Sequence, residues 1–432
     1  MGAAAFPGKT IALAIELTPA SAILEVGHVL WFAGWKVVSV RFLNTLVMLG
    51  YMLCAAPLHP RAQEGEVPPP PPIGTLLAGP YLIGPEPTQL VVQWEVQGPK
   101  ESAVLLLSPD GNERRFEGQL MPADVLTQKL TGRVYRAIFT DLKPCTRYRY
   151  RLEPFEADTT HAFRTPPTPG EYCSAPISIA ALGDTRSHPT RHAAVVRKML
   201  PYQPDLVVNT GDVISYARRL DQWHEFFGAA GPLLADTPLA LSPGNHEGYL
   251  DMPFGAAMME RYFGLPGRTG TGHYSFDYGP VHVVVLDAYW GRPLSDRGKK
   301  WLRANLAAVP ADRYKVVAIH TPLYSFSRHK VYSTAIGLRE VMKEFGVHVV
   351  LSGHSHCYEH FLAHGTHYVT LGGGGASLHP PNLQVIPEEQ HLLLSTGSFH
   401  HFLLMDVHPE GLRMRIFNTD EDALHEEWKI PK

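Results

Sequence analysis

Ile177-Ser-Ile-Ala-Ala-Leu182-Gly183-Asp184 is an apolar run closed by a glycine and a carboxylate, and variants of this arrangement recur downstream. Leu206-Val-Val208 leads to Gly211-Asp212, Val316-Val-Ala-Ile319 to His320, and Val347-His-Val-Val-Leu351 to Gly353-His354-Ser-His356. Gly244-Asn245-His246-Glu247 is a fifth polar cluster of the same kind, and Val281-His-Val-Val-Val-Leu286 a further apolar run. Such β-branched runs alternating with helical patterns read as buried strands of an α/β core. Residues just past the carboxyl ends of these strands lie along one rim of a sheet, so distant segments can meet there. Glycine beside a ligand lets the backbone turn sharply towards an ion. Mixed Asp, Asn and His donors suit iron, manganese or zinc, whereas calcium prefers oxygen alone. Any one cluster could simply cap a turn. Five in order point to a metal site.

Working outward, residues 74–168 carry short alternating segments: Gln89–Trp94, Ala103–Leu107, Val134–Phe139 and Arg147–Leu152, spaced by turn residues. This is the pattern of a small all-β sandwich. The stretch Asp141-Leu-Lys-Pro-Cys-Thr-Arg-Tyr-Arg-Tyr150 resembles the late-strand corner of a fibronectin type III domain, with its tyrosines assigned to packing and corner hydrogen bonding. Residues 169–432 then form the metal-bearing domain, with Phe402–Val407 and Leu412–Phe417 as paired strands and residues 381–432 finishing its second sheet. His282 and His348 fall within strand interiors and read as core residues.

Upstream, residues 1–62 form a leader region and residues 63–73 a proline-rich linker; Pro68 to Pro72 is unbroken proline, an extended spacer. The apolar run 42–57, preceded by Lys36 and Arg41, has the layout of a secretory signal, so the protein is expected to be exported, to the periplasm or outside the cell. An uncleaved leader would be the one membrane anchor. Met1 to about Trp35 reads as neither signal nor domain, which an incorrectly assigned start site would explain. Of the 4 cysteines, Cys54 lies in the leader, Cys357 sits inside a metal motif, and Cys145 with Cys173 is the expected disulfide. A net charge of -3 offers no electrostatic reason for a nucleic-acid partner. The 23 histidines are the compositional outlier, and many follow apolar runs.

Taken together, the clusters resemble the calcineurin-like metallophosphoesterases and, more closely, the purple acid phosphatases. The likeness extends to Tyr274-Ser-Phe-Asp-Tyr-Gly-Pro-Val-His282, Gly353-His-Ser-His-Cys-Tyr-Glu359 and the glycines Gly372 to Gly375. It implies two packed sheets flanked by helices, an αββα sandwich. It also implies two metal ions, with Asp184 and His356 at the first, Asp212 bridging both, and Asn245, His320 and His354 at the second. His246 would stay outside the metal shell and stabilise or protonate the reacting group; His329 would line the substrate cleft. Arg186, by its fork of donors, could hold phosphate or pair with a nearby acid.

One departure matters. These phosphatases place a tyrosinate three residues after the bridging aspartate, whereas here Ser215 stands there and Tyr216 one place later. A phenol with a pKa of about 10 must ionise to bind, which a ferric ion promotes more readily than a divalent one. Tyr216 as ligand therefore goes with iron paired with iron, zinc or manganese; without it, an all-divalent pair fits. The function implied is hydrolysis of a small phosphate monoester by metal-bound hydroxide. A phosphodiesterase or nucleotidase on the same core is the alternative, since the loops over the cleft choose the substrate. An exported binding protein with a vestigial core is the reading from another class, and the intact ligands and His246 argue against it.

Overall fold

The computed structural model describes residues 74–432 except for short segments at 99–101, 122–123, 126–127, 131, 156–158, 249–252, 265–271, 290, 328–332 and 384–386. The expected leader and linker, and His329, lie outside the described residues. The described residues belong to one compact unit. Among the described residues no helix is long and apolar enough to cross a membrane.

Period-two alternation builds the first part. Its strands are β1 (Thr75–Glu86), β2 (Gln89–Gln97), β3 (Ala103–Leu107), β4 (Glu113–Glu117), β5 (Gln119–Leu120), β6 (Asp124–Val125), β7 (Gln128–Lys129), β8 (Arg133–Phe139), β9 (Arg147–Glu153) and β10 (His161–Arg164). Along β9, Tyr148, Tyr150 and Leu152 are buried while Arg147 and Arg149 are exposed, as two-residue alternation demands. The sheet β10-β9-β3-β4 packs on the strands β1, β2 and β8 around Trp94, Tyr135 and Phe139. Tyr148 Oη accepts a hydrogen bond from Lys143 N at 2.9 Å, the corner contact expected of this stretch.

The second part continues with β11 (Ile177–Leu182), β12 (Leu206–Asn209), β13 (Leu239–Leu241), β14 (Tyr274–Tyr278), β15 (Val281–Leu286), β16 (Tyr314–Ile319) and β17 (Val349–Ser352). It closes with β18 (Tyr358–Ala363), β19 (Thr366–Leu371), β20 (Leu393–Gly397), β21 (His401–His408), β22 (Gly411–Asn418) and β23 (Ala423–Pro431). Between them run α1 (Pro189–Met199), α2 (Leu220–Leu234), α3 (Asn245–Gly248), α4 (Phe254–Phe263), α5 (Asp296–Ala307) and α6 (Ser333–Glu344). The helix α1 buries His192, Val195, Val196 and Met199, a single stripe at helical spacing.

Two sheets stack face to face. Ile179, Ala181 and Val208 of one meet Val283, Val316, Leu351 and Val369 of the other. Ala180, Leu182 and Val207 face the opposite way, onto Val195 and Met199 of α1 and Trp223 and Phe226 of α2. On the far side Val284, Val317 and Val350 pack against Leu302 of α5 and Met342 of α6. This is the expected αββα arrangement. The strands β11, β12 and β13 run parallel, as do β15, β16, β17 and β19.

The C-terminal strands depart from expectation. Phe402–Val407 and Leu412–Phe417 do pair, within β21 and β22. Yet β21 joins β11 through Ile179↔Met405, so the chain end extends the first sheet, and only β20 falls in the second. The reason is burial: Leu403, Met405 and Val407 complete the core between the sheets.

The two parts are also fused more tightly than a sandwich on a linker. Ile83 of β1 pairs in parallel with Leu239 of β13, so one ten-stranded sheet, β23-β22-β21-β11-β12-β13-β1-β2-β8-β5, crosses both. Glu95 of β2 accepts from Tyr262 Oη at 2.8 Å and Arg261 Nη2 at 3.3 Å on α4, with His224 Nε2 3.0 Å away on α2. The disulfide Cys145–Cys173 closes the junction, and Cys357 is a buried free thiol.

Two buried histidines make the fold sensitive to acid. Burial holds His192 and His401 down to about 4, against about 6.5 when unfolded. Each stays neutral in the fold while the unfolded chain takes a proton. The stability this carries is therefore complete above pH 6.5 and lost as pH falls towards 4, by about 3 kcal/mol per residue. Urea titrations of the wild type between pH 6.5 and 4 should show this decline. His192→Gln, which keeps a donor for the Gly374 carbonyl, should be less steep by one histidine's share; identical slopes would remove His192 from the account.

Candidate metal centre

The five clusters converge at the carboxyl ends of the parallel strands. Asp184 follows β11 and Asp212 follows β12; Asn245 opens α3 after β13; His320 follows β16; His354 and His356 follow β17. One ligand atom each from Asp184, Asp212 and His320 lies within 4.8 Å of the others. All six side chains are buried.

Their contacts form two overlapping sets. In one, Asp212 Oδ1 is 3.3 Å from His320 Nε2, and Asn245 Oδ1 lies 3.1 Å from His320 Nε2 and 2.9 Å from His354 Nδ1. In the other, His356 Nε2 is 3.4 Å from Asp184 Oδ1. Asp212 Oδ2 faces this second side, towards Arg186 Nε at 3.3 Å and His246 Nε2 at 3.8 Å. The two Asp212 oxygens thus have different neighbours, His320 and the backbone N–H of His246 at Oδ1 and the side chains of Arg186 and His246 at Oδ2.

The donor set fits metal ions. His320 Nδ1 donates to the Thr210 carbonyl at 2.8 Å and His356 Nδ1 to that of Ser377 at 2.7 Å. Each ring then turns its other nitrogen, a lone pair in the neutral form, towards a carboxylate. That pairing is favourable only with a proton or a cation between the two atoms. Asp184 Oδ1 is buried and accepts no hydrogen bond, the state expected of a metal-facing oxygen.

Three of the clustered residues sit on strained backbone. Asp184, Asp212 and His354 all have left-handed backbone, with φ of 55°, 57° and 66°, a conformation that costs a non-glycine residue about 1–3 kcal/mol. Glycine gives room: a Cβ on Gly244 would collide with Asp212 Oδ1 and its backbone nitrogen. Glu247 holds the turn after Asp212. Its carboxylate accepts from Asp212 N at 2.9 Å, Val213 N at 2.7 Å, Ile214 N at 3.2 Å and Gly244 N at 2.7 Å. Glu359 does a similar service for the loop before it, accepting from Ser325 Oγ and Phe326 N.

Electrostatics reinforce the geometry. Burial would raise Asp212, but His320, His246 and Arg186 together hold it down to about 2. Burial likewise opposes ionisation of Asp184, and His356 and His320 outweigh it, leaving the carboxyl below its ordinary value. His320 is pushed down by burial and more strongly up by Asp212 and Asp184. Burial lowers His246 despite the attraction of Asp212. Burial, then the Asp212 charge, push Glu247 up to about 7 against the pull of its backbone donors.

His246 sits at the rim. Its Nδ1 donates to the Ser215 carbonyl at 2.8 Å, which leaves Nε2 facing the cluster. Arg186 reaches in to touch both Asp212 and His356, with Nη2 3.3 Å from His356 Nε2. Tyr216 is not brought in: it is 55% exposed. The extra residue between it and Asp212 explains this. Val213 and Ile214 are buried, Gln222 Oε1 accepts from Ser215 N and Tyr216 N, and the turn so fixed leaves the Tyr216 side chain in solvent. Glu247 stands in a cluster already singled out by sequence without a task of its own; an acid two places after a ligand and followed by glycine was the available signal. His379, stacked on His356 with ring centroids 4.8 Å apart, had none.

The pattern of the calcineurin-like phosphoesterase family matches residues 177–358. Purple acid phosphatase 15 of Arabidopsis thaliana is 29% identical over 312 residues, covering 60% of this chain but only 56% of that protein. Probable purple acid phosphatase 20 of the same plant is 24% identical over 375 residues, 79% of this chain and 84% of its own length. Human acid phosphatase type 7 is 25% identical over 309 residues, 63% and 68%. A purple acid phosphatase from yellow lupin seeds superimposes with a TM-score of 0.68 at 17% identity, over 82% of this chain and 74% of that one. PhoD does so at 0.62 and 14%, over 84% and 90%.

Glu247→Ala would strand four backbone N–H groups beneath the bridging carboxylate. It should lower the unfolding free energy by about 3 kcal/mol and strip bound metal. Urea titration and elemental analysis check both, and wild-type values in the two measurements would show that those donors find other partners.

Proposed function

From a chain that carries a calcineurin-like phosphoesterase domain over residues 177–358 and is homologous to purple acid phosphatases, we infer a metal-dependent hydrolase of small phosphate monoesters. The observation that carries this is the buried cluster of Asp184, Asp212 and His320, its ligand atoms within 4.8 Å of one another, with Asn245 Oδ1 beside His320 and His354 and with His356 beside Asp184. Two cations held by these residues would supply a clamp able to polarise a phosphoryl oxygen and acidify water. Asp184 and Asp212 are the only carboxylates among the six, so a pair of divalent ions leaves net positive charge to attract a phosphate dianion.

The remaining groups act on the substrate. His246, its Nδ1 fixed by the Ser215 carbonyl, aims Nε2 where it can protonate a departing alkoxide. Arg186 brings a fork of donors to the same rim. The exposed Tyr216 phenol supports an all-divalent pair, zinc or manganese, over a ferric site. The disulfide Cys145–Cys173 supports an oxidising compartment, and with it export.

Protein loaded with manganese or zinc should hydrolyse an aryl monophosphate well above its diester and be colourless. A faster diester rate would move the assignment to phosphodiesterase, and bound metal with no turnover of any phosphoester would end it. Asp212→Ala should lose both metal and activity. His246→Ala should keep its metal while turnover drops about 100-fold or more; loss of metal from that variant would make His246 a ligand.

A further inference from the structure

Tyr216 is the most exposed large hydrophobic side chain among the described residues, at 55%. An exposed ring needs no explanation by itself; this one is singled out by how firmly it is held and where it stands. Gln222 Oε1 accepts from Ser215 N at 3.0 Å and Tyr216 N at 2.9 Å, the Tyr216 carbonyl accepts from Arg219 N at 3.0 Å, and the Ala217 carbonyl accepts from Trp223 Nε1 at 2.9 Å. Ile214 and Ala217, on either side of Ser215 and Tyr216, are buried. The backbone is thus fixed while the phenol makes no hydrogen bond or ring contact among the described residues. Such a ring has only two side-chain torsions to order when a ligand lies on it. The same turn carries the acid of the site. The Ser215 carbonyl accepts from His246 Nδ1 at 2.8 Å, and His246 Nε2 lies 3.8 Å from Asp212 Oδ2. A leaving group that takes its proton from His246 therefore lies on the His246 side of the cluster, against the rim that Ser215 and Tyr216 form.

We propose that Tyr216 is a specificity-determining residue: its ring stacks on an aromatic ring in the leaving group, so the preferred phosphate monoesters are those of aryl-bearing alcohols or nucleosides. This rests on the monoester-hydrolase reading above, with His246 as the acid, and adds the class of leaving group. The residues of the buried cluster meet the phosphate, which every monoester shares, so the choice among monoesters falls to groups that touch the rest of the substrate. Stacked rings attract beyond the apolar area they bury. Every aromatic ring offers such a face, so this contact selects a class of leaving group rather than one compound. The phenol oxygen has no part in it, and a phenylalanine at the same place would serve.

The test compares kcat/KM within two pairs of monoesters, on manganese-loaded wild type, Tyr216→Phe and Tyr216→Ala. One pair is benzyl against ethyl phosphate; the other is adenosine monophosphate against ribose phosphate, both esterified at the primary hydroxyl. The alcohols released within each pair are of similar acidity, so the chemical step alone favours neither member. Wild type should favour the ring-bearing member by about 10-fold in at least one pair. The first pair reports a ring next to the phosphate and the second a base held one ribose away. Tyr216→Phe should keep the preference and the bound metal, whereas Tyr216→Ala should bring the ratio close to unity. A wild type without preference in either pair, an alanine variant that retains it, or a phenylalanine variant that loses it or its metal would overturn the proposal. Calorimetric binding of the non-hydrolysable phosphonates of the same four compounds gives a readout that needs no turnover. If the functional reading fails, no phosphoester is hydrolysed, yet a ring-bearing phosphonate still binds the more tightly and loses that advantage in Tyr216→Ala. Turnover with no ring preference in either measurement sinks the assignment of Tyr216 alone.

Discussion

Asp212 has to present its two carboxylate oxygens to different neighbours from a buried position, and much of the surrounding architecture answers that demand. Left alone, the residue would resist both its burial and its left-handed backbone. Glu247 holds the turn by collecting the N–H groups of Asp212, Val213, Ile214 and Gly244, while His320, His246 and Arg186 keep the carboxylate ionised. The cost is a second buried acid, Glu247, pushed up by burial and by Asp212 itself. Strain and charge are tolerated here because the two sheets beneath are packed rigidly through Ile179, Val208, Val283 and Val316.

The sandwich takes part in this support from a distance. Its strand β1 continues the sheet that ends in Asp184 and Asp212, and Glu95 pins α4, the helix that follows the Asn245–Gly248 turn. A domain on a flexible joint would need neither the shared sheet nor the buried Glu95–Arg261–Tyr262 group. The arrangement makes the sandwich a buttress for one wall of the cluster, which agrees with the described residues falling in one unit.

At the rim, position is set by single residues. One extra residue between Asp212 and Tyr216 redirects the phenol to solvent and brings the Ser215 carbonyl to His246. Arg186, two places after Asp184, fills ground on the side of the cluster that the phenol does not reach. The two departures are spatially linked through the contact of Ser187 Oγ with Ser215 Oγ at 3.0 Å, so a change in one loop is felt in the other.

Read without coordinates, the chain already declares its αββα core, its N-terminal all-β sandwich and the six side chains that meet at the strand ends. These are legible because alternation, apolar runs and glycine-bounded polar clusters are local consequences of burial and backbone geometry. The direction of Tyr216, the service of Glu247, the stacking of His379 on His356 and the contacts of Arg186 could not be read this way. Each depends on where a loop turns relative to another strand's end, which is settled by packing between segments far apart in sequence. For the same reason β21–β23 read as strands from their composition, while their place beside β11 was decided only by the inter-sheet core they complete.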